Sequence, residues 1–344
     1  MARARPDRRA TITDVADAAG VSIKTVSRVF NDEPNVRPQT RERVLQAAAE
    51  LDYHPNVAAR SLAGRKSFLI GMAYENPSPN YVVDLQNGAV ERTRGTRWRL
   101  LFLPCPDAGA VSGRMQAIAR TSGLDGLILA PPLSDDPATI EDLEQSGIPY
   151  VRIGPTRDGG AAPDIRVDDA AATMAIIDHL VGLGHGRIAI VHGDPTHGSA
   201  AERADGFARG MAAHGLQADP ALEGQGYYTF ASGLEAGRRL LALPEGRRPT
   251  AIFACNDDMA AGVLSAAHEA RIVVPDALSI AGYDDSNIAS VVWPRLTTIR
   301  QPIFEMARAA ADELLALIEG EEPAPHSIFP YQLIVRGSTG PAPR

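Results

Sequence analysis

The chain has 344 residues, 44% of them hydrophobic, and a formal net charge of −8, the composition of a globular protein with room for two or three domains. No run reaches the ~18 apolar residues of a membrane span, and the basic N-terminus lacks the apolar stretch of an export signal. The two distant cysteines, Cys105 and Cys255, predict reduced core thiols of a cytosolic protein rather than metal ligands or a disulfide; no cofactor is expected.

Charge is divided unevenly: residues 1–66 carry 12 Lys or Arg against 8 Asp or Glu, and the remainder 22 against 34. A basic head on an acidic body suits phosphate contact by the head alone. Residues 1–10 are expected to form a disordered basic arm. After it, Thr11 can cap a first helix, with Asp14 completing a capping-box pair. Ile12, Val15, Ala16 and Ala19 recur at helical spacing, and Gly20 stands where a left-handed residue ends a helix at little steric cost. Ser22 caps a second helix with an apolar face of Val26, Val29 and Phe30. The other face offers Lys24, Ser27, Arg28 and Asn31.

This is the form of a helix-turn-helix, whose second helix enters the DNA major groove. At its start Ile23 can pack on a thymine methyl, Lys24 can reach a base edge and Arg28 can grip guanine through two hydrogen bonds. Thr25 and Ser27 suit phosphates. A polar helix face taken alone is ordinarily just solvated; here the caps, the glycine turn and the apolar stripes all agree with the functional reading.

A third helix is predicted from Pro38 to Leu51, burying Val44, Leu45, Ala48 and Leu51. Asn56 can then cap a two-turn helix that stops at Gly64, too short to be stable alone. In it Leu62 can wedge between base steps of a minor groove while Arg60, Arg65 and Lys66 meet phosphates; an ordinary interdomain linker is the bland reading of the same residues.

The pattern Thr-Ile-x-Asp-Val-Ala-x-x-Ala-Gly-Val-Ser-x-x-Thr-Val-Ser-Arg-Val-Phe-Asn at 11–31, then Thr40-Arg41-Glu42-Arg43-Val44, then Tyr53-x-Pro55-Asn56 with Ala59-Arg60-Ser61-Leu62, resembles the LacI/GalR family of bacterial repressors. The resemblance implies that Ile23, Lys24 and Arg28 read bases and that Leu62 is the intercalating leucine of a hinge helix. The expected DNA-contacting set is Thr11, Ser22, Ile23, Lys24, Thr25, Ser27, Arg28 and Asn31 in the head, and Asn56, Ala59, Arg60 and Leu62 in the hinge.

From Ser67 the texture becomes strand-helix alternation. Strands are predicted at 68–73, 99–103, 126–129, 150–153, 187–191, 251–255 and 278–282, with helices at 169–182, 201–214, 231–241 and 259–270. That pattern implies parallel sheets covered on both faces, and its length implies two doubly wound subdomains. Ligands of such sheets bind beyond the carboxyl ends of the strands. Asn256-Asp257-Asp258, Asp284-Asp285 and Arg203 fall there, offering acceptors and directional donors to a polyhydroxylated ligand. Tyr81, Tyr228 and Trp293 can stack on a ring, although an Asp after a strand often merely caps the next helix and an aromatic is more often core. Tyr227 and Tyr228 are not separable at this level.

The resemblance continues through Leu69-Ile70-Gly71, Asp125-Gly126-Leu127-Ile128, Gly184-His185-x-Arg187-Ile188, Asn256-Asp257-x-Met259-Ala260, Gly282-Tyr283-Asp284 and Leu296-Thr297-Thr298-Ile299-x-Gln301-Pro302. It implies a periplasmic-sugar-binding-protein-like effector domain with contacts at Arg203, Asn256 and Asp284 and aromatic positions at Tyr81 and Tyr228. Two places where lactose-type members are polar hold Ala130 and Gly154 here, so Arg152 is expected to supply polarity to that half of the pocket.

The expected fold is therefore α/β: a three-helix helix-turn-helix head at 11–54, a hinge helix at 55–66 and a two-subdomain effector and dimerisation body at 67–340. Subdomain one is expected at about 67–165 plus 294–323, and subdomain two at about 166–293 plus 324–340. The tail lacks the leucine heptads of a tetramerising helix, so a homodimer on a near-palindromic double-stranded operator is expected, cytoplasmic and nucleoid-associated when bound, with no membrane partner. The function expected is a repressor of carbohydrate-utilisation genes released by a sugar or sugar derivative; a purine- or nucleoside-type corepressor is the alternative. A solute-binding protein and a sugar-acting enzyme are more distant, the latter because no phosphate loop, metal-ligand spacing or nucleophile motif is present.

Overall fold

The computed structural model describes residues 10–30, 35–53, 66–75, 78–157, 162–322, 324 and 326–343. The chain divides into two compact units, Met1–Ser67 and Phe68–Arg344. The expected arm and hinge helix, with Asn31, Asn56, Ala59, Arg60 and Leu62, lie outside the described residues, apart from Ala10 and Lys66 at their edges.

The first unit holds α1 (Ile12–Ala19), α2 (Ile23–Phe30) and α3 (Pro38–Glu50). The Thr11 side chain accepts the Asp14 N–H while the Asp14 carboxylate takes the Thr11 N–H at 2.7 Å, a reciprocal cap. Gly20 ends α1 at φ +61, a conformation glycine adopts without steric cost. Ser22 Oγ then accepts the Thr25 N–H at 3.2 Å. Val15, Ala16, Ala19, Val26, Val29, Val44, Ala47 and Ala48 form the core, and Phe30 meets Tyr53 edge to face at 5.7 Å. Two expected core leucines are corrected here: Leu45 and Leu51 are 48% and 37% exposed. Small Ala47 takes the inward place, so α3 turns those leucines outward.

The second unit is two six-stranded sheets. Along the chain come β1 (Leu69–Tyr74), α4 (Pro79–Thr93), β2 (Arg99–Pro104), α5 (Ala108–Val111), α6 (Met115–Ser122), β3 (Gly126–Leu129), α7 (Pro137–Ser146), β4 (Tyr150–Ile153) and β5 (Asp164–Arg166). Next are α8 (Asp169–Gly182), β6 (Ile188–His192), α9 (Gly198–Ala213), β7 (Glu223–Gln225), α10 (Phe230–Leu241), β8 (Ala251–Ala254), α11 (Asp257–Glu269), β9 (Ser279–Asp284) and α12 (Asn287–Val291). The chain ends through β10 (Thr297–Arg300), α13 (Ile303–Glu319), β11 (His326–Ile328) and β12 (Gln332–Ile334).

Sheet one runs β11-β5-β4-β3-β1-β2, wholly parallel; sheet two runs β12-β10-β9-β8-β6-β7, parallel except for the edge strand β12. Strand alternation sends Ile70, Met72 and Ile128 toward α4 and α13, and Ala73, Leu127 and Leu129 toward α6 and α7. Gly88 lets α4 lie so close to α13 that an added Cβ would overlap the Phe304 carbonyl. Both cysteines are buried and unbridged, and no helix of the described residues is long and apolar enough to cross a membrane.

The subdomain boundaries differ from expectation. Thr297–Arg300, expected in subdomain one, pairs with Ala281–Asp284 in sheet two, while His326–Ile328, expected in subdomain two, pairs with Asp164–Arg166 in sheet one. The β-branched run Thr297-Thr298-Ile299 is buried on both faces beside β9, whereas α13 turns Met306, Ala307, Ala310 and Leu314 to the first sheet. The chain thus crosses between subdomains after β5, after β10 and after β11.

Arg152 is a further correction: its side chain is fully buried within sheet one. Its register partner across β4 and β5 is Asp164, and both side chains are 0% exposed with Nη2 donating to Oδ2 at 3.3 Å. Nη1 donates to the Arg157 carbonyl at 3.1 Å, and His326 Nδ1 lies 2.9 Å from the same carboxylate oxygen of Asp164. Arg152 therefore holds sheet one together. Removing one member of a buried pair strands the other charge, at a cost of about 3–5 kcal/mol. Arg152→Leu is expected to lower the urea midpoint of the body accordingly, and adding Asp164→Leu to restore most of it; an unchanged midpoint in Arg152→Leu would contradict this.

Candidate functional site

On the head, α2 leaves Ile23 48% exposed, with Ser22 and Lys24 exposed beside it. Thr25, Ser27 and Arg28 are half-buried along the same helix. The Thr11 and Ser22 hydroxyls are engaged locally, Thr11 Oγ1 with Asp14 Oδ2 at 2.6 Å and Ser22 Oγ with Thr25 Oγ1 at 2.9 Å. They fix the start of each helix, and Arg41 Nη1 donates to the Val29 carbonyl at 3.3 Å near the end of α2. The result is a short helix, held at both ends, with an apolar and a basic side chain exposed at its first turn.

In the body, a cleft lies between the subdomains at the carboxyl ends of both sheets. Ser78, Tyr81, Pro131, Gly154, Val167 and Met306 line one side, and Asp169, His197, Ser199, Arg203, Tyr228, Asn256, Asp284 and Gln301 the other. Five of the six expected pocket residues meet here: Tyr81, Arg203, Tyr228, Asn256 and Asp284. Their enclosed free space is about 30 Å³, enough for a water.

Arg203, on the second turn of α9, donates through Nε to Asp169 Oδ1 at 2.8 Å and through Nη1 to the Cys255 carbonyl. Its Nη2 stands 3.9 Å from Asp284 Oδ1, and its guanidinium lies 3.7 Å from the Tyr283 ring centroid. Gln301 Nε2 donates to Asp284 Oδ1 at 2.8 Å. Asn256 caps α11, Oδ1 accepting the Met259 N–H at 2.9 Å, while its Nδ2 donates to the Tyr228 carbonyl at 3.0 Å. Tyr228 sits at φ +58 and Asp284 at φ +106, conformations rare for residues with a Cβ. Across the cleft, Ser78 Oγ donates to Asp258 Oδ2 at 2.6 Å.

Burial pushes the Asp284 carboxyl up to about 7, against the lowering influence of Arg203 and the Gln301 hydrogen bond and with Asp169 and Asp258 adding to the rise. Burial lowers His197 to about 4, Arg203 assisting and Asp194 and Asp135 opposing, so its ring is neutral at pH 7. Burial also lifts the Tyr81 and Tyr228 hydroxyls, which stay protonated. The cleft therefore contains one fixed cation already matched by carboxylates, neutral donors and acceptors, and two phenol rings.

Other candidates are elsewhere. Trp293 is 79% exposed and Tyr227 51% exposed, so Tyr228 is the inward member of its pair. Asp257 is structural, accepting the Ser286 N–H at 2.8 Å and the Thr298 hydroxyl at 2.7 Å. Asp285 pairs with Arg300 and Arg336. His185 bonds Thr250, Ser279 and the Gly340 carbonyl beneath sheet two. Among the described residues no group of three His, Cys, Asp or Glu is arranged to hold a metal ion.

Sequence reasoning missed Ser78, Asp169, His197, Ser199, Gln301 and Met306. For His197 and Ser199 a signal existed: α9 starts at Gly198 rather than at the expected residue 201, placing them at its mouth. Gln301 and Asp169 each follow a strand by one to three residues, the same position that singled out Asn256.

Residues 11–56 match the family model of bacterial regulatory proteins, lacI family, and residues 177–339 match the periplasmic binding protein-like domain. The HTH-type transcriptional regulator DegA of Bacillus subtilis (strain 168) is 32% identical over 97% of this chain and 99% of its own. The lactose operon repressor of Escherichia coli (strain K12) is 31% identical over 96% of this chain and 90% of its own. A crystal structure of the lac repressor dimer bound to operator and the anti-inducer ONPF superposes with a TM-score of 0.84 at 31% identity, covering 97% of this chain and all of that one. With a helix-turn-helix at one end and a two-subdomain cleft at the other, this chain belongs to the LacI family of bacterial regulatory proteins and is a transcriptional regulator, not an enzyme.

Proposed function

We propose that this regulator is a repressor of carbohydrate-utilisation genes that binds a near-palindromic operator as a homodimer and is released by a neutral sugar. The observation that carries this reading is the convergence of Arg203, Asn256, Asp284 and Gln301 with Tyr81 and Tyr228 in one cleft between subdomains. Hydroxyls need directional donors and acceptors, and the apolar face of a sugar ring needs an aromatic or aliphatic wall. The side of subdomain one is poor in polar groups: Ala130 is buried, Gly154 exposes only backbone, and Ser78 and Tyr81 supply the hydroxyls. Arg152 adds nothing there.

Charge narrows the ligand. Arg203 is the cation lining the cleft and already faces Asp169 and Asp284. A phosphate or carboxylate would meet those carboxylates rather than an open guanidinium, so phosphorylated and acidic sugars are disfavoured. The cleft is nearly filled by its own pairings, so a ring entering it replaces them and moves the subdomains apart. That change of angle is the two-state element that biases the hinge at 55–66, and with it the paired heads, between DNA-bound and released forms.

Three outcomes are expected. In a thermal-shift screen, neutral sugars should raise Tm, with about 2.7 kcal/mol of stabilisation at ~100 times Kd; a response confined to sugar phosphates or uronates would overturn the neutral-sugar reading. Arg28→Ala should cost about 1–3 kcal/mol on the cognate operator and much less on random DNA; equal losses on both would contradict base reading.

The third concerns pH. The folded chain keeps the Asp284 proton up to about 7, whereas the unfolded chain releases it near 3.8. The protonated form's contribution to stability is thus full below the unfolded value and falls as pH rises to about 7. Asp284→Asn should therefore gain Tm relative to wild type between pH ~5 and ~7; a difference independent of pH would contradict the raised value.

A further inference from the structure

Two contacts close the cleft at its rims, each made between groups of opposite subdomains. On one rim, Ser78 Oγ donates to Asp258 Oδ2 at 2.6 Å. Ser78 occupies the N-cap position of α4, where a serine ordinarily accepts a helix N–H, but its side chain makes no such cap. The hydroxyl is directed at the other subdomain instead. Asp258 lies on the first turn of α11, beside Asn256, which holds the Tyr228 carbonyl.

On the other rim, Gly198 begins α9 and abuts Thr156 and Asp135 so closely that a Cβ there would overlap the Thr156 hydroxyl and Asp135 Oδ2. Those atoms are not free to swing aside. Asp135 Oδ1 accepts the Thr156 N–H at 2.9 Å and the Arg157 N–H at 3.1 Å, and Oδ2 accepts the Thr156 hydroxyl at 3.0 Å. Behind them, Arg152 Nη1 donates to the Arg157 carbonyl at 3.1 Å and to the Ser134 carbonyl at 3.5 Å. One buried guanidinium therefore fixes the neighbours of both rim residues. Asp135 also places a carboxylate at the positive end of α9, and its charge acts on His197, the residue before Gly198.

The helix on which this rim presses is the one that carries Ser199 and Arg203 into the cleft. Phe207 and Met211 anchor α9 in the core of subdomain two, so pressure on its first residue moves that subdomain as a body. Asp135 and Thr156 are half-buried and stand outside the lining of the cleft.

We propose that Asp135 and Thr156 are positioning residues: seated against Gly198, they fix the angle between the subdomains at which the cleft of the ligand-free chain is shut, while the Ser78–Asp258 bond holds the opposite rim. The proposal rests on the reading of the cleft as a two-state effector site. It adds that the resting angle is set in part by side chains that do not line the cleft.

The test is pulsed dipolar spectroscopy on the full chain without ligand. Spin labels go on Glu141→Cys in α7 and Ala208→Cys in α9, both exposed; the native cysteines are buried. Labelled chain is diluted into unlabelled chain so that only distances within one chain are read. Gly198→Ala should shift the distance from its wild-type value, and adding Thr156→Ala, which makes room for the methyl group, should return most of the shift. Asp135→Ala, which cuts the tether without adding bulk, should also shift it. A duplex selected from a random-sequence pool by the wild-type chain should bind Gly198→Ala ~5-fold more weakly, with recovery in the double variant. An unchanged distance in both Gly198→Ala and Asp135→Ala would overturn the positioning role. A distance that shifts and recovers while duplex affinity stays constant would uphold that role and overturn the reading of the cleft as a DNA switch.

Discussion

The buried guanidinium of Arg203 is the interaction on which the body depends. At 5% exposure it holds the first residue of α8, the carbonyl just beyond β8 and the carboxylate that ends β9, and its guanidinium stands over the ring of Tyr283. A charge taken out of water is tolerated only when its partners are in place. The ends of three segments are therefore positioned by one side chain. Asp257 does the same on the other flank, joining the start of α11 to Ser286 and Thr298. The groups that keep the cleft shut are also those that line it. A ligand entering the cleft exchanges one set of hydrogen bonds for another rather than filling an empty hole.

Such an exchange explains how a small molecule can move large bodies. Three chain crossings join the subdomains, and side-chain contacts such as Ser78 with Asp258 bridge the rim. In the proposed change of angle, the strand ends and short crossovers are the parts that would move, because the two packed cores resist deformation. On the opposite rim, Gly198 lies so close to Thr156 and Asp135 that a Cβ there would overlap them, so closure is tight enough to exclude even a methyl group. The head needs none of this. Its caps, turn and core lie within a stretch of 43 residues, which suits a module repositioned as a unit.

That difference in range decided what could be read from sequence. The head was legible because its determinants are local: Thr11 with Asp14, Gly20 in a left-handed turn, Ser22 with Thr25, and stripes at helical spacing. Leu45 and Leu51 went wrong because the same spacing admits an inward face centred on Ala47, and only packing against α1 and α2 chooses between them. In the body, Arg203, Asn256 and Asp284 were found from strand ends, but Arg152 was misplaced because its partner Asp164 is supplied by strand register twelve residues away. The assignment of β10 and β11 to opposite sheets depends on which neighbour completes each sheet, which no local pattern records. Tyr228 is separable from Tyr227 only through its left-handed backbone at φ +58 and its ring, which packs against Gly193.

The central claim is that head and cleft are coupled through one two-state body. Coupling is reciprocal: the factor by which a sugar weakens operator binding must equal the factor by which operator weakens sugar binding. The direct measurement is the affinity of the full chain for its strongest-binding sugar, determined alone and again with saturating operator DNA. The account predicts a loss of at least ~5-fold in the presence of operator, the lower edge of typical coupling energies, and the same fold-loss of operator affinity at saturating sugar. Equal sugar affinity with and without operator would contradict it.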